Sequence, residues 1–212
     1  MPQKPRLTHA AEDPPTVSFT RYEITTAPIP DRRYQRLPRH VQEAIERLHD
    51  VAQRRPRAAI PELRDWIKHY PQIPQLYNYL SVAYSLAGHR QEAEAVVQEN
   101  YQRNPDYVFA RINYAEVCLA RGDYAQIADI FAHTFDLQAL YPQRKRFHLS
   151  EVANFMGLVG LYFLAIGNRE AAEQYDKLLK QIAPDFPLTQ RLHKNLWPSR
   201  WRRLLRGLTG RS

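Results

Sequence analysis

The chain has 212 residues, 44% hydrophobic and 25% charged, with sixteen prolines, seven glycines and one cysteine. That length buries a sizeable core, and a lone cysteine, Cys118, excludes an intramolecular disulfide framework. Of the net charge of +8, residues 190–212 carry seven Lys/Arg and no Asp/Glu, while residues 38–189 carry 17 basic and 18 acidic side chains, which excludes a body built as a basic nucleic-acid surface.

Residues 1–37 are proline-rich and lack helical period, and their start, MPQKPRLTHAAEDPP, has no apolar run of the kind a signal peptide needs. Cytoplasmic is therefore the expected compartment. Val17, Phe19, Tyr22 and Ile24 stand among Thr16, Thr20, Thr25 and Thr26, a pattern that suits an extended strand. Two readings stand for this arm: disordered by composition, or extended along the body through residues 16–26.

From residue 38 the pattern becomes helical. Val41, Ala44, Ile45, Leu48 and Val51 form one stripe; after a turn read as QRRPR, Ala59, Leu63 and Trp66 echo a second helix. Tyr77, Leu80, Tyr84 and Ala87 precede Gly88, and Ala93, Val96, Val97 and Tyr101 run to Asn104-Pro105. Ile112, Ala115 and Leu119 precede Gly122, followed by Ile127, Ile130 and Phe131. Phe155, Val159, Phe163 and Ile166 precede Gly167, followed by Ala171, Ala172, Tyr175, Leu178 and Leu179. Leu188, Leu192 and Leu196 suggest a capping helix over the last apolar face. After Pro198, Trp201, Leu204, Leu205 and Leu208 fall on one side of a helical projection and the arginines largely on the other.

These segments repeat. Pro71 to Pro105 and Gly88 to Gly122 are both 34 residues; Gly122 to Gly167 is 45, or 34 with an insertion of eleven that holds Arg144-Lys145-Arg146, read as a solvated loop. Each unit reads as a helix, a tight turn and a second helix, and so short a pair must stack on neighbours to hide its apolar flanks. Ser81, Ala115 and Gly160 recur where the two helices of a pair approach most closely.

The chain resembles the tetratricopeptide repeat family over about residues 38–186. Residues 74–107 match its pattern through Tyr77, Leu80, Tyr84, Ala93 and Pro105, and residues 153–186 through Gly160, Phe163, Ala172 and Pro184. Residues 108–141 fit at Tyr114, Ala115, Gly122 and Phe131 but not at Arg111 or Ala139. The expected fold is an all-α helix-turn-helix solenoid of three to four repeats, comprising an arm (1–37), the repeats (38–186), and a capping helix with a basic amphipathic tail (187–212).

In this family the first helices of successive repeats line a concave groove. The resemblance places Asn78, Tyr79 and Val82, then Phe109, Asn113 and Glu116, then Asn154, Leu158 and Leu161 in such a groove. Of the lysines, arginine and asparagines with which co-chaperone members grip a terminal carboxylate, only Asn113 is present, so that ligand is disfavoured. The last first helix is apolar on both sides and needs cover, from a partner segment or from the chain's own arm.

No histidine pair at metal-ligand spacing, glycine-rich phosphate loop, GxSxG elbow or paired acidic cluster is present, and no cofactor, metal or small-molecule substrate is expected. Cys118 reads as a packed thiol. The function that follows is a non-catalytic scaffold or adaptor for a protein or peptide. The alternative is a peripheral membrane or nucleic-acid-associated protein attached through Trp197, Arg200, Trp201, Arg202, Arg203 and Arg206. Docking of the tail on the body itself is the third reading.

Overall fold

A computed structural model describes residues 22–29 and 31–198. A short strand β1 (Glu23–Thr25) and a one-turn helix α1 (Arg32–Gln35) precede three helix pairs: α2 (Arg39–Arg54) with α3 (Pro56–His69), α4 (Pro74–Leu86) with α5 (Arg90–Arg103), and α6 (Val108–Arg121) with α7 (Tyr124–Ile130). The one-turn α8 (Leu137–Leu140) and strand β2 (Arg146–His148) lead into a fourth pair, α9 (Leu149–Ala165) with α10 (Arg169–Ile182). Helix α11 (Pro187–Leu196) closes the series. The fold is an all-α repeat solenoid.

Local chemistry sets the boundaries. Pro56, Pro74 and Pro187 start α3, α4 and α11, where a missing N–H costs nothing. The three glycine turns are built alike: the N–H of His89, Asp123 and Asn168 donates to the carbonyl five residues back, on Tyr84, Cys118 and Phe163, each at 2.9 Å. Gly88, Gly122 and Gly167 hold φ of 86°, 77° and 87° there, a conformation that a Cβ would strain.

Three local expectations need correction. The QRRPR turn is shorter than its sequence suggests: Gln53 and Arg54 continue α2, Pro56 begins α3, and Arg55 alone makes the corner. In the third pair the second helix stops after seven residues at Ile130, and Ala132 and His133 turn the chain at φ of 48° and 54°. Phe131 and Phe135 then fill the space a longer helix would occupy, packing on Phe155, Tyr162 and Phe163 at centroid distances of 5.1–5.2 Å. The Arg144-Lys145-Arg146 run is solvated only in part: Lys145 and Arg146 are exposed, but Arg144 pairs with Glu151 at 2.7 Å and Arg146 lies in β2.

Two apolar cores result. One joins α2 to α5 through Val41, Ile45, Leu48, Leu63, Leu76 and Tyr77; the other runs from α6 to α11 around Phe131, Phe147, Phe155, Phe163 and Tyr175. Helix α9 is the axis of the second core, with every residue from Phe155 to Phe163 buried. Its further face is covered by α11, because Gly157 and Gly160 leave room for Leu188 and Leu192. A Cβ built on Gly157 would stand 2.6 Å from Leu188 Cβ and 3.2 Å from the Leu188 carbonyl carbon; one on Gly160 would meet Leu192 Cδ2 at 2.5 Å and Tyr175 Cβ at 3.1 Å. The described part of the N-terminal arm lies on the body, β1 pairing in parallel with β2.

Gly157→Ala tests this close approach. Alanine favours a helix over glycine by about 1 kcal/mol, but the obstacle here includes backbone, so a net loss of about 1–3 kcal/mol is expected from overpacking. Urea denaturation followed by circular dichroism measures it; a gain in stability would show that α11 does not sit tightly on α9.

Candidate partner-binding channel

The residues that the repeat pattern places in one groove divide into two groups. Asn78, Tyr79 and Val82 on α4 and Phe109, Asn113 and Glu116 on α6 keep some exposure, whereas Leu158 is fully buried and Leu161 is 4% exposed. Asn154 is half-buried and donates its amide to the Ser150 carbonyl at 2.7 Å. The surface over α9 is therefore narrower than the one over α4 and α6. The cause is α11, which packs Leu188 and Leu192 onto α9, while Arg191 reaches Glu116 on α6 at 2.9 Å and ties the flanking helices together. The chain's own C-terminal helix covers the second side of α9 at Gly157 and Gly160, while Leu164 is half-buried and Ala165 exposed beside a cleft.

Two clefts flank α4, and a further cleft of about 550 Å³ lies between α6, α9 and α11, lined by Leu119, Leu161, Leu164 and Arg191. Val82 stands on the crest of α4, 42% exposed, and lines a cleft on each side. One, of about 180 Å³, is bounded by His49, Gln53, Asn78 and Tyr79; the other, of about 240 Å³, by Leu86, Val97 and Val117. Tyr79, Val82 and Leu86, at i, i+3 and i+7, form one stripe, and Leu86 at 58% is the most exposed large apolar side chain among the described residues. The His49 ring meets Tyr79 edge-on at 5.1 Å. Burial together with the charge of Glu46 pushes the Tyr79 phenol above its ordinary pKa.

Sequence reading passed over Leu86 and Val117. Continuing the Tyr79–Val82 stripe one turn would have reached Leu86; Val117 follows Glu116 and needed the packing of α5 on α6 to be seen as lining.

Beneath the channel a run of asparagines joins the second repeat to the third. Asn104 donates to Asn100 Oδ1 at 3.0 Å; Asn100 donates to Asn78 Oδ1 at 3.0 Å and to the Pro74 carbonyl at 3.2 Å; Asn113 donates to the same Asn78 oxygen at 3.2 Å. Asn100 and Asn104 are 1% and 3% exposed. The amide of Asn113 is thus engaged with a neighbour in the chain, a further reason against carboxylate capture at this position.

Of the basic-tail residues, Trp197 is described: it is 48% exposed, with the Arg169 guanidinium carbon 4.9 Å from its ring centroid. Arg200, Trp201, Arg202, Arg203 and Arg206 lie outside the described residues. Cys118 is 3% exposed, and burial pushes its thiol pKa up, as for a packed side chain. Among the described residues no three His, Cys, Asp or Glu side chains converge to hold a metal ion, and no helix is long and apolar enough to cross a membrane.

The architecture defines a class: a solenoid of tetratricopeptide-like helix pairs. A solved structure of that kind, MamA from residue 41 to its end from Desulfovibrio magneticus RS-1, superposes with a TM-score of 0.50 over 73% of this chain and 80% of that one, at 18% sequence identity. Identity at that level speaks to the fold alone. No family model matches the chain, and no curated protein does.

Replacing Asn100 by leucine removes the centre of the asparagine run, strands the buried Asn104 amide and takes one donor each from Asn78 Oδ1 and the Pro74 carbonyl. A loss of about 3 kcal/mol is expected from leaving those buried groups unpaired, against well under half of that for Asn113→Ala. Chemical denaturation of both variants checks it; equal losses would mean that the run is not centred on Asn100.

Proposed function

We propose that this chain is a non-catalytic scaffold or adaptor of the tetratricopeptide repeat family, acting in the cytoplasm, that holds a partner polypeptide in the channel between α2, α4 and α6. The observation that carries this reading is the stripe of half-buried Tyr79 and exposed Val82 and Leu86 between two clefts. The asparagine row beside it is bonded within the chain and holds α4 and α6 at their spacing, and the apolar crest supplies the binding area.

The double variant Val82→Asp/Leu86→Asp puts charge on the crest while leaving both cores untouched. Burying an apolar side chain of this size against a partner stabilises the complex by about 1.5–3 kcal/mol, so capture of the partner from native lysate should fall by about tenfold or more. Captured binding should change little on raising salt from about 0.1 to 0.5 M, because apolar association is not screened. Undiminished capture by the double variant removes the channel from consideration.

A second reading concerns the far end of the chain, where residues 190–212 carry seven Lys/Arg and no acid and include the exposed Trp197. We propose that this segment attaches the scaffold to an anionic membrane surface, since arginines with interleaved tryptophan and leucine suit the lipid interface. Vesicles containing phosphatidylserine should co-sediment the full chain, and about 0.5 M salt should release it. A chain ending at Trp197 should stay in solution. Equal sedimentation of both chains ends this reading, and retention on duplex DNA without retention on vesicles replaces it with nucleic acid.

A further inference from the structure

The described part of the N-terminal arm meets the body as a short peptide meets a receptor. The ring of Tyr22 packs edge-on against Phe147 at 5.0 Å, and the Arg144 guanidinium carbon lies 4.3 Å from the centroid of the same Phe147 ring. Glu23 donates its N–H to the Lys145 carbonyl at 3.0 Å, and its carboxylate pairs with Arg146 at 2.9 Å. Ile24 and Thr25 stand opposite Phe147 and His148 in parallel register. The Thr26 carbonyl accepts from His148 Nε2 at 3.2 Å, while Nδ1 of that histidine accepts from the Ser150 N–H at the start of α9. One aromatic anchor, one acid and a row of main-chain groups hold the arm, and any extended segment with those features can be held in the same way.

Two observations separate this arm from a staple that belongs to the core. Its outer surface is open: Ile24 is 39% exposed, and the Arg146 and Glu23 side chains are 60% and 58% exposed. Beyond Thr26 the described residues of the arm also leave space beside them. A cleft of about 460 Å³ lies between Pro28 and Ile29 of the arm and the starts of α4, α6 and α9, at Gln75, Phe109 and Glu151. Gln75, which lines it, has Oε1 buried without a hydrogen-bond partner. Core segments pack without such space and leave few buried acceptors unmet.

We infer that the edge of β2, with Phe147 beside it, is a strand-addition site for an extended peptide carrying an aromatic residue followed directly by an acidic one, and that residues 22–26 of this chain occupy it in cis. The site is separate from the channel between α2, α4 and α6 and does not depend on it. Tethering gives the arm an effective concentration of about millimolar. A partner therefore enters when it binds more tightly than the arm or when the arm is engaged elsewhere.

The test supplies the arm in trans. The probe is a fluorescent synthetic peptide of residues 16–30, and the acceptor is the full chain bearing Tyr22→Ala and Glu23→Lys, which weakens the resident arm and leaves the site intact. Fluorescence anisotropy should show the probe bound about tenfold or more tightly by this variant than by the unaltered chain. A probe with Glu23→Pro, which lacks the N–H that reaches Lys145, should bind neither. Equal binding by both chains, or undiminished binding of the proline probe, overturns the inference. A second measurement needs no variant: in hydrogen exchange of the unaltered chain, the amide of Glu23, which donates to Lys145, should exchange about 100-fold or more faster than those of α9, through opening of the arm alone. Matching protection would make the arm an integral part of the fold and would also overturn the inference.

Discussion

A helix that is apolar on nearly every face must be kept from water on every face, and α9 is such a helix. Its first side meets α6, and α10 packs on it through Tyr175. Its second side receives α11, which can come close because Gly157 and Gly160 present no side chain to Leu188 and Leu192. The cost of glycine within a helix is about 1 kcal/mol each; burying Leu188 and Leu192, at about 1.5–3 kcal/mol apiece, exceeds it. Covering α9 in this way fixes α11 at the end of the solenoid and brings Arg191 to Glu116.

The other half of the molecule is governed by a polar joint. The cores of α2–α5 and α6–α11 are separate, and asparagines form part of the link where α5 meets α6. Asn78 accepts from both Asn100 and Asn113, so its oxygen is saturated only when the third repeat sits at one distance from the second. Apolar side chains tolerate sliding better than directional bonds do. A repeat interface made this way sets the spacing of α4 and α6, and with it the width of the channel.

Function then rests on surfaces that packing leaves over. The crest of α4 is a single stripe in which Val82 and Leu86 are exposed and Tyr79 is half-buried. The strand edge at β2 is a different kind of surface, formed because the third repeat ends its second helix early and spends the insertion on α8 and β2. Interruption of the repeat thus creates a feature that regular repeats lack.

Much of the fold was legible in the chain itself. Glycines at 88, 122 and 167 and prolines at matching intervals mark turns whose hydrogen bonds are identical in the structure, because a tight turn after a helix needs a residue tolerant of positive φ. The stripes of α2, α4, α9 and α10 were readable for a similar reason: helical period is a local property, expressed in residues three and four apart. The covering of Leu158 and Leu161, the shortened α7, the pairing of residue 23 with residue 146 and the exposure of Leu86 are of another kind. Each depends on which surfaces meet across tens of residues of chain, and an apolar side chain is written the same way whether it faces a neighbour, a partner or water. The sequence determined the helix pairs and their order; tertiary packing alone decided which of their faces stayed open.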